Sequence, residues 1–257
     1  MKIQPKRLLY EDYRDALVVF ADVLGMGRKI LSMHDEQSFR TVASVLELLH
    51  GQARLWRSMD GRLLQDLQAA AVSDSLIISI PWQSEVGAFA LIAAMHSFQY
   101  GLLLRGGRLL RGYLARGRLY HKDEFIFGEA FIRAWRGEQG LKNGPPRIVL
   151  DPGLAAYELE MGADRPPDGW ASAFEYLRQD ACDGLWFIDY LKPIGVPSTD
   201  SPQELRAARE EIREWIKNQK KVYQTDHHVS SKYHWLEQYE AATCEESERI
   251  LSRRERG

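Results

Sequence analysis

Only two cysteines, Cys182 and Cys244, occur in the 257 residues. Two thiols so far apart make neither a metal-ligand spacing nor a disulfide framework, which excludes stapled secreted scaffolds and zinc-ribbon modules. An excess of one charge is missing too. The 34 Lys and Arg balance 36 Asp and Glu to a formal net charge of −2, so the chain lacks the overall basic footprint of a nucleic-acid binder. There is no apolar run of membrane length and no signal-like segment in the opening MKIQPKRLLYEDY. A soluble cytoplasmic protein with neither membrane nor nucleic acid as partner is the expectation. Repeats, low-complexity tracts, a Walker-type glycine pattern and Ser-His-Asp or Cys-His motifs are likewise absent. His227, His228 and His234 cluster in sequence but have no carboxylate companions at ligand spacing.

What is present is enough apolar sequence, 45%, to bury a sizeable core. Ala16 to Ala21 is short, apolar and β-branched and predicts a buried strand. Phe39, Val42, Val45, Leu46 and Leu49 recur at helical spacing, predicting a helix from about Glu36 to Trp56. Ala69–Val72 and Leu76–Ile80 read as strands joined by a hairpin at Ser73–Ser75. Ser84 caps an alanine-rich helix from Glu85 to about Leu104. Strands follow at Arg111–Ala115 and near Arg118–His121. Gly128 then opens a helix, and Pro146–Asp151 is a further strand. This β-α-β-β-α-β order predicts an α+β, ferredoxin-like fold. Loops are expected at Gly162–Trp170 and Pro193–Pro202. They leave a main region of residues 1–200 and a charged helical extension, 201–257, packing on the core or on a partner. Tyr233, Trp235 and Tyr239 supply that extension's packing face.

In this topology Asp22 ends the first strand and Asp74 tips the neighbouring hairpin, so carboxylates 52 residues apart in sequence face each other. Close like charges repel unless a cation lies between them, and paired carboxylates suit hard ions such as Mg²⁺ or Mn²⁺. The segment Val23-Leu24-Gly25-Met26-Gly27 turns into a helix whose exposed N–H groups suit phosphate. Arg105, Arg108, Arg111, Arg116 and Arg118 form a cluster able to hold a polyphosphate. The combination spells phosphoryl chemistry on a nucleotide.

VVFADVLGMG, AAAVSDSLIIS, LLRGYLARGRLYH and FGEAFIRAW, in that order, resemble the core motifs of class III nucleotidyl cyclases over about residues 14 to 151. With PRIVLD, GLWFIDYL and KYHWL, the chain resembles more closely the pyrimidine cyclases of bacterial anti-phage (Pycsar) signalling. The resemblance implies that residues 1–200 are the catalytic domain. It assigns Asp22, Asp74 and the Val23 carbonyl to two Mn²⁺ or Mg²⁺ ions per site. It places Phe20, Val23, Leu24, Gly25, Met26, Gly27 and Phe125 against the nucleotide. Arg111 becomes the phosphate-contacting arginine and Arg136 the transition-state arginine. A head-to-tail homodimer with sites between chains is implied, with an effector reached through the cyclic nucleotide product. Departures from the purine cyclases are specific. Ile132 stands where asparagine orients the ribose. Ala70 and Phe125 stand where a lysine and an acid read the purine. The implied reaction is cyclisation of UTP or CTP. The alternatives are a purine cyclase using other residues and a catalytically dead nucleotide-binding dimerisation module.

Overall fold

The computed structural model describes residues 9–58, 66–82, 87–161, 173–192 and 202–254. Its central strand is β1 (Arg14–Val23), flanked antiparallel by β3 (Ser75–Pro81) and β4 (Leu110–Lys122), with β2 (Gln68–Val72) outside β3. A short helix α1 (Met26–Leu31) and α2 (Glu36–Ser58) connect β1 to β2, and α3 (Gly87–Gly106) connects β3 to β4. The resulting β2-β3-β1-β4 order is the ferredoxin-like βαββαβ arrangement expected. Three strands extend the sheet beyond β4: β6 (Ile148–Leu150), parallel to β4, then β8 (Trp186–Ile188) and β7 (Leu177–Gln179). The short β5 (Phe125–Gly128) folds back on β4. The helices α4 (Glu129–Gly140), α5 (Pro152–Met161), α6 (Pro202–Val222) and α7 (His227–Arg254) complete the described chain.

β1 is apolar without alternation because both its faces are covered. Leu17, Val19 and Ala21 join the core under α2 and α3 with Val45, Leu49, Leu91 and Met95. Ala16, Val18 and Phe20 face Ala130 and Ala134 of α4. α3 is long and apolar enough to cross a membrane by length and composition, a run the sequence reading overlooked. Here Leu91, Ile92 and Met95 are fully buried in the core.

Several local expectations change. The two strands expected at Arg111–Ala115 and Arg118–His121 are one continuous β4, paired with β1 without a break from Leu110 to Leu119. Gly117, between the two expected strands, is an extended strand residue opposite Ala16. A Cβ there would lie 3.3 Å from the Ala130 nitrogen, at the start of α4. Phe39, in the first turn of α2, is exposed rather than buried. The expected Ser84 cap, the Gly162–Trp170 loop and residues 193–201 of the second loop lie outside the described residues.

A second core joins the sheet extension to the last two helices. Val149, Phe187 and Tyr190 pack against Ile212 and Ile216 of α6 and Leu236 and Tyr239 of α7. Its polar centre is the fully buried Arg147, which pairs with Asp180 and Asp183. Trp235 Nε1 donates to the same Asp180 at 2.7 Å, and the Tyr239 hydroxyl donates to Asp189 at 2.6 Å. Removing one member of a buried ion pair strands the other. Asp180→Ala is therefore expected to cost about 3–5 kcal/mol, read as a lower urea midpoint in equilibrium unfolding. An unchanged midpoint would remove Arg147 from the interactions that hold α7 to the sheet.

Candidate active site

Register brings the site together. Asp22 lies opposite Ser75 of β3 on one side and Arg111 of β4 on the other. The β2–β3 hairpin turns at Ser73 and Asp74, with Ser73 in the left-handed region at φ 54°. The Val23 N–H donates to the Asp74 carbonyl at 3.1 Å, which ties the hairpin tip to the end of β1. The two side chains are close enough to share a hydrogen bond. Burial first, then the charge of Asp74 and that hydrogen bond, push the Asp22 carboxyl up to about 7, with Glu138 adding and Arg111 opposing. Two oxygen-donor carboxylates whose mutual repulsion disfavours ionisation fit a hard divalent cation, which would relieve that repulsion. Among the described residues no group of three or more His, Cys, Asp or Glu assembles. A metal at this point would therefore complete its shell from backbone carbonyls, water or substrate oxygens.

Arg111 is buried and firmly held. Its Nε donates to Glu138 at 2.9 Å, a second nitrogen pairs with the same carboxylate, and a third donates to the Lys142 carbonyl at 2.9 Å. The guanidinium edge nearest Asp22 is 3.9 Å from its carboxylate. The Arg111 side chain is thereby locked in orientation at the strand end, as a preorganised electrostatic group requires. Glu138 was missed in the sequence. It continues the buried Ala130–Ala134 stripe of α4 one turn further, and an acid on a buried stripe needs a cationic partner. That spacing was the available signal.

The other candidate residues divide. Gly25 takes φ 77° and starts α1, with Met26 buried and Gly27 exposed, so the turn after β1 forms as the motif implies. Leu24 is fixed by its N–H to the Leu109 carbonyl at 2.9 Å. Phe20 packs edge-on to Phe131, buried under α4. Phe125 sits on β5, exposed against Phe127 and Tyr120. Arg136 is exposed on α4, two residues from both Ala134 and Glu138. It therefore points roughly away from its own sheet and from Arg111.

The arginine cluster is split by the pleat. Arg111 lies on the α4 face, whereas Arg116 and Arg118, at even positions of β4, turn the other way. Arg116 pairs with Asp15 at 2.6 Å and stacks over Trp82, and Arg118 stacks over Tyr13. His227, His228 and His234 gather into no metal-ligating group.

No family model and no curated protein matches the chain. Among solved structures it is similar to the adenylyl cyclase CyaB from P. aeruginosa, at 12% identity over 68% of this chain and 93% of that one, with a TM-score of 0.44. Two structures of a bacterial light-regulated adenylyl cyclase are also similar. One has 11% identity over 57% of this chain and 80% of that one, at a TM-score of 0.40. The other has 12% identity over 56% and 44%, at 0.38. At such identities and scores the likeness transfers no residue role.

Metal affinity is testable directly. Anything that binds only the folded state stabilises it, by about 2.7 kcal/mol at a hundredfold excess over Kd. Mn²⁺ is expected to raise the melting temperature of the wild type, and Asp22→Asn and Asp74→Asn to lose that shift. Without metal, Asp22→Asn melts at or above wild type near pH 8, because the carboxylate whose charge is disfavoured is gone. Thermal scans with and without Mn²⁺ check both points, and a full metal-induced shift in the variants would refute the assignment.

Proposed function

We propose that this chain is a nucleotidyl cyclase, and within that class a pyrimidine cyclase converting UTP or CTP to the 3′,5′-cyclic monophosphate and pyrophosphate. The observation that carries the reading is the Asp22–Asp74 carboxylate pair at a strand end, with the locked guanidinium of Arg111 beside it. Fold alone implies no reaction. The order and content of the motifs from VVFADVLGMG to FGEAFIRAW supply the chemistry. When bound at Asp22 and Asp74, Mg²⁺ or Mn²⁺ would activate the ribose 3′-hydroxyl and neutralise phosphate oxygens. That hydroxyl gives its proton to solvent water and attacks the α-phosphorus, the bond from the α-phosphorus to the bridging oxygen breaks, and pyrophosphate leaves. Arg111, held by Glu138, faces the charge that develops there. The backbone of Leu24 to Gly27 lies where the phosphate chain would run. The same resemblance supports a signalling role in antiviral defence, with an effector responding to the cyclic product.

The base reading rests on Ala70 and Phe125. Ala70 is buried and apolar, and Phe125 carries no hydrogen-bonding group, so neither satisfies a purine edge. Each unmade buried hydrogen bond costs about 1–3 kcal/mol. With Mn²⁺ and each of the four nucleoside triphosphates, kcat/KM for UTP or CTP is expected to exceed that for ATP and GTP by at least about tenfold, or roughly 1.4 kcal/mol. Products are identified by mass. Asp22→Ala and Asp74→Ala should lower turnover by at least about 10²-fold, the scale of losing one preorganised electrostatic contact. Preferred turnover of ATP or GTP would establish the purine alternative. No cyclic product from any of the four, with metal present, would favour the inactive module.

Arg136 supports a homodimer with sites between chains. It leaves its own sheet on a face shared with Ile132 and Trp135, each 45% exposed. Exposed apolar groups around an arginine suit an interface. Trp135→Glu is expected to convert the dimer to monomer in sedimentation and to lower specific activity in parallel. A dimer that persists unchanged would move the interface elsewhere.

A further inference from the structure

α2 and α3 cover the face of the sheet away from α4, and a trough of about 420 Å³ runs between them. α2 presents Leu48, Gln52 and Trp56 to it, one residue per turn, and α3 presents the small Ala93, Ser97 and Gly101. Trp56 meets Phe98 edge-on at 5.3 Å along its floor, and both rings are buried. Gly101 is not required by the chain's own packing. Glycine inside a helix is less stable than alanine, yet a Cβ at 101 would meet no atom within 4 Å. What the glycine leaves is space, in the middle of the trough. α3 is also apolar enough along its length to cross a membrane, while only 61% of that stretch is buried. The trough ends one turn beyond Gly101 at Arg105, the one charged side chain among the described residues lining it. Arg105 forms neither an ion pair nor a hydrogen bond among the described residues.

Dimensions and charge select the occupant. From Ala90 to Arg105 the α3 wall is roughly 22 Å long at 1.5 Å per residue. A volume of 420 Å³ drawn out over that length has a mean section of about 19 Å². That is the girth of one extended alkyl chain, whereas a helix is about 10 Å across. Apolar walls suit such a chain, and a lone guanidinium at one end suits a carboxylate, which it holds with two parallel hydrogen bonds. We propose that the trough binds a free long-chain carboxylate, its alkyl chain over Trp56 and Phe98 and its head on Arg105, and that this binding raises turnover at the candidate active site. The effect on turnover rests on the cyclase reading; the binding site does not. From Arg105 the chain passes through Gly106 and Gly107 to Leu109, whose carbonyl accepts the Leu24 N–H at 2.9 Å. Leu24 lies two residues after Asp22, and Arg111 two residues after Leu109. A ligand that fixes the last turn of α3 thereby steadies the connection to which both strand ends are tied, and favours the arrangement in which Asp22 and Arg111 are aligned.

The test uses the full chain and calorimetry with octanoate, decanoate, laurate and dodecylammonium, each monomeric in solution. Laurate is expected to bind, and each pair of carbons added from octanoate onwards to tighten binding by roughly tenfold. Dodecylammonium, equal in length and opposite in charge, should bind at least about tenfold more weakly than laurate. Gly101→Leu fills the middle of the trough and should weaken laurate by at least about tenfold, while melting no lower than wild type because leucine favours the helix. Arg105→Gln should weaken laurate by at least about fivefold and leave dodecylammonium within about twofold. Saturating laurate should raise kcat for the preferred nucleoside triphosphate by at least about fivefold in wild type and not in Gly101→Leu. Laurate binding that Gly101→Leu leaves unchanged, or that dodecylammonium matches, overturns the site. Binding to phosphatidylcholine vesicles without binding to free laurate overturns it as well, and makes the trough a membrane contact. A wild-type dimer that Gly101→Leu dissociates in the absence of laurate overturns it in favour of a second copy. Laurate binding with unchanged kcat in an active enzyme overturns the effect on turnover. Trough-dependent laurate binding without any cyclic product keeps the site and removes the cyclase reading.

Discussion

The pairing of β1 on both its edges is the constraint from which the candidate site follows. One strand is held antiparallel between β3 and β4, and its register leaves no freedom: Asp22 must face Ser75 and Arg111. A one-residue slip would send Asp22 to the α2–α3 face and carry Leu17, Val19 and Ala21 out of their core. The apolar run that buries β1 and the carboxylate that ends it are thus one specification. The energetics of burial enforce the geometry of the chemistry.

That geometry places opposed demands on the carboxylates. Burial and proximity to Asp74 work against the charge of Asp22, while Arg111 works for it. Arg111 is itself balanced by Glu138, out of reach of water. The strand end therefore carries an acid pair on one side and a neutralised ion pair on the other. Beyond Gly25, Arg28 has its own counterweight in Asp226, at 3.0 Å.

Much of this was legible in the residues. The run Ala16–Ala21 followed by Asp22, and the hairpin at Ser73–Ser75, gave the central strands and both carboxylates, because a doubly buried strand reads as an unbroken apolar stretch. The periodicity of Val42, Val45 and Leu49 gave α2. Other features depend on contacts between distant segments and leave no local trace. β4 runs unbroken through Gly117, which lies extended against the start of α4. The arginines of β4 look like one cluster until the pleat separates Arg111 from Arg116 and Arg118. β7 and β8 are three residues each, too short for alternation to register. Glu138 is recognisable only as an acid on a buried stripe.

The connection between Arg28 and Asp226 spans 198 positions of the chain. Closing a loop of that length costs more entropy than a local contact does. The sheet and its hairpin draw Asp22 and Asp74 from the first third of the sequence, whereas the partner of Arg28 comes from near its far end. The turn that follows Asp22 is thereby tied by one ion pair to the start of the last helix, and loss of that helix would release it.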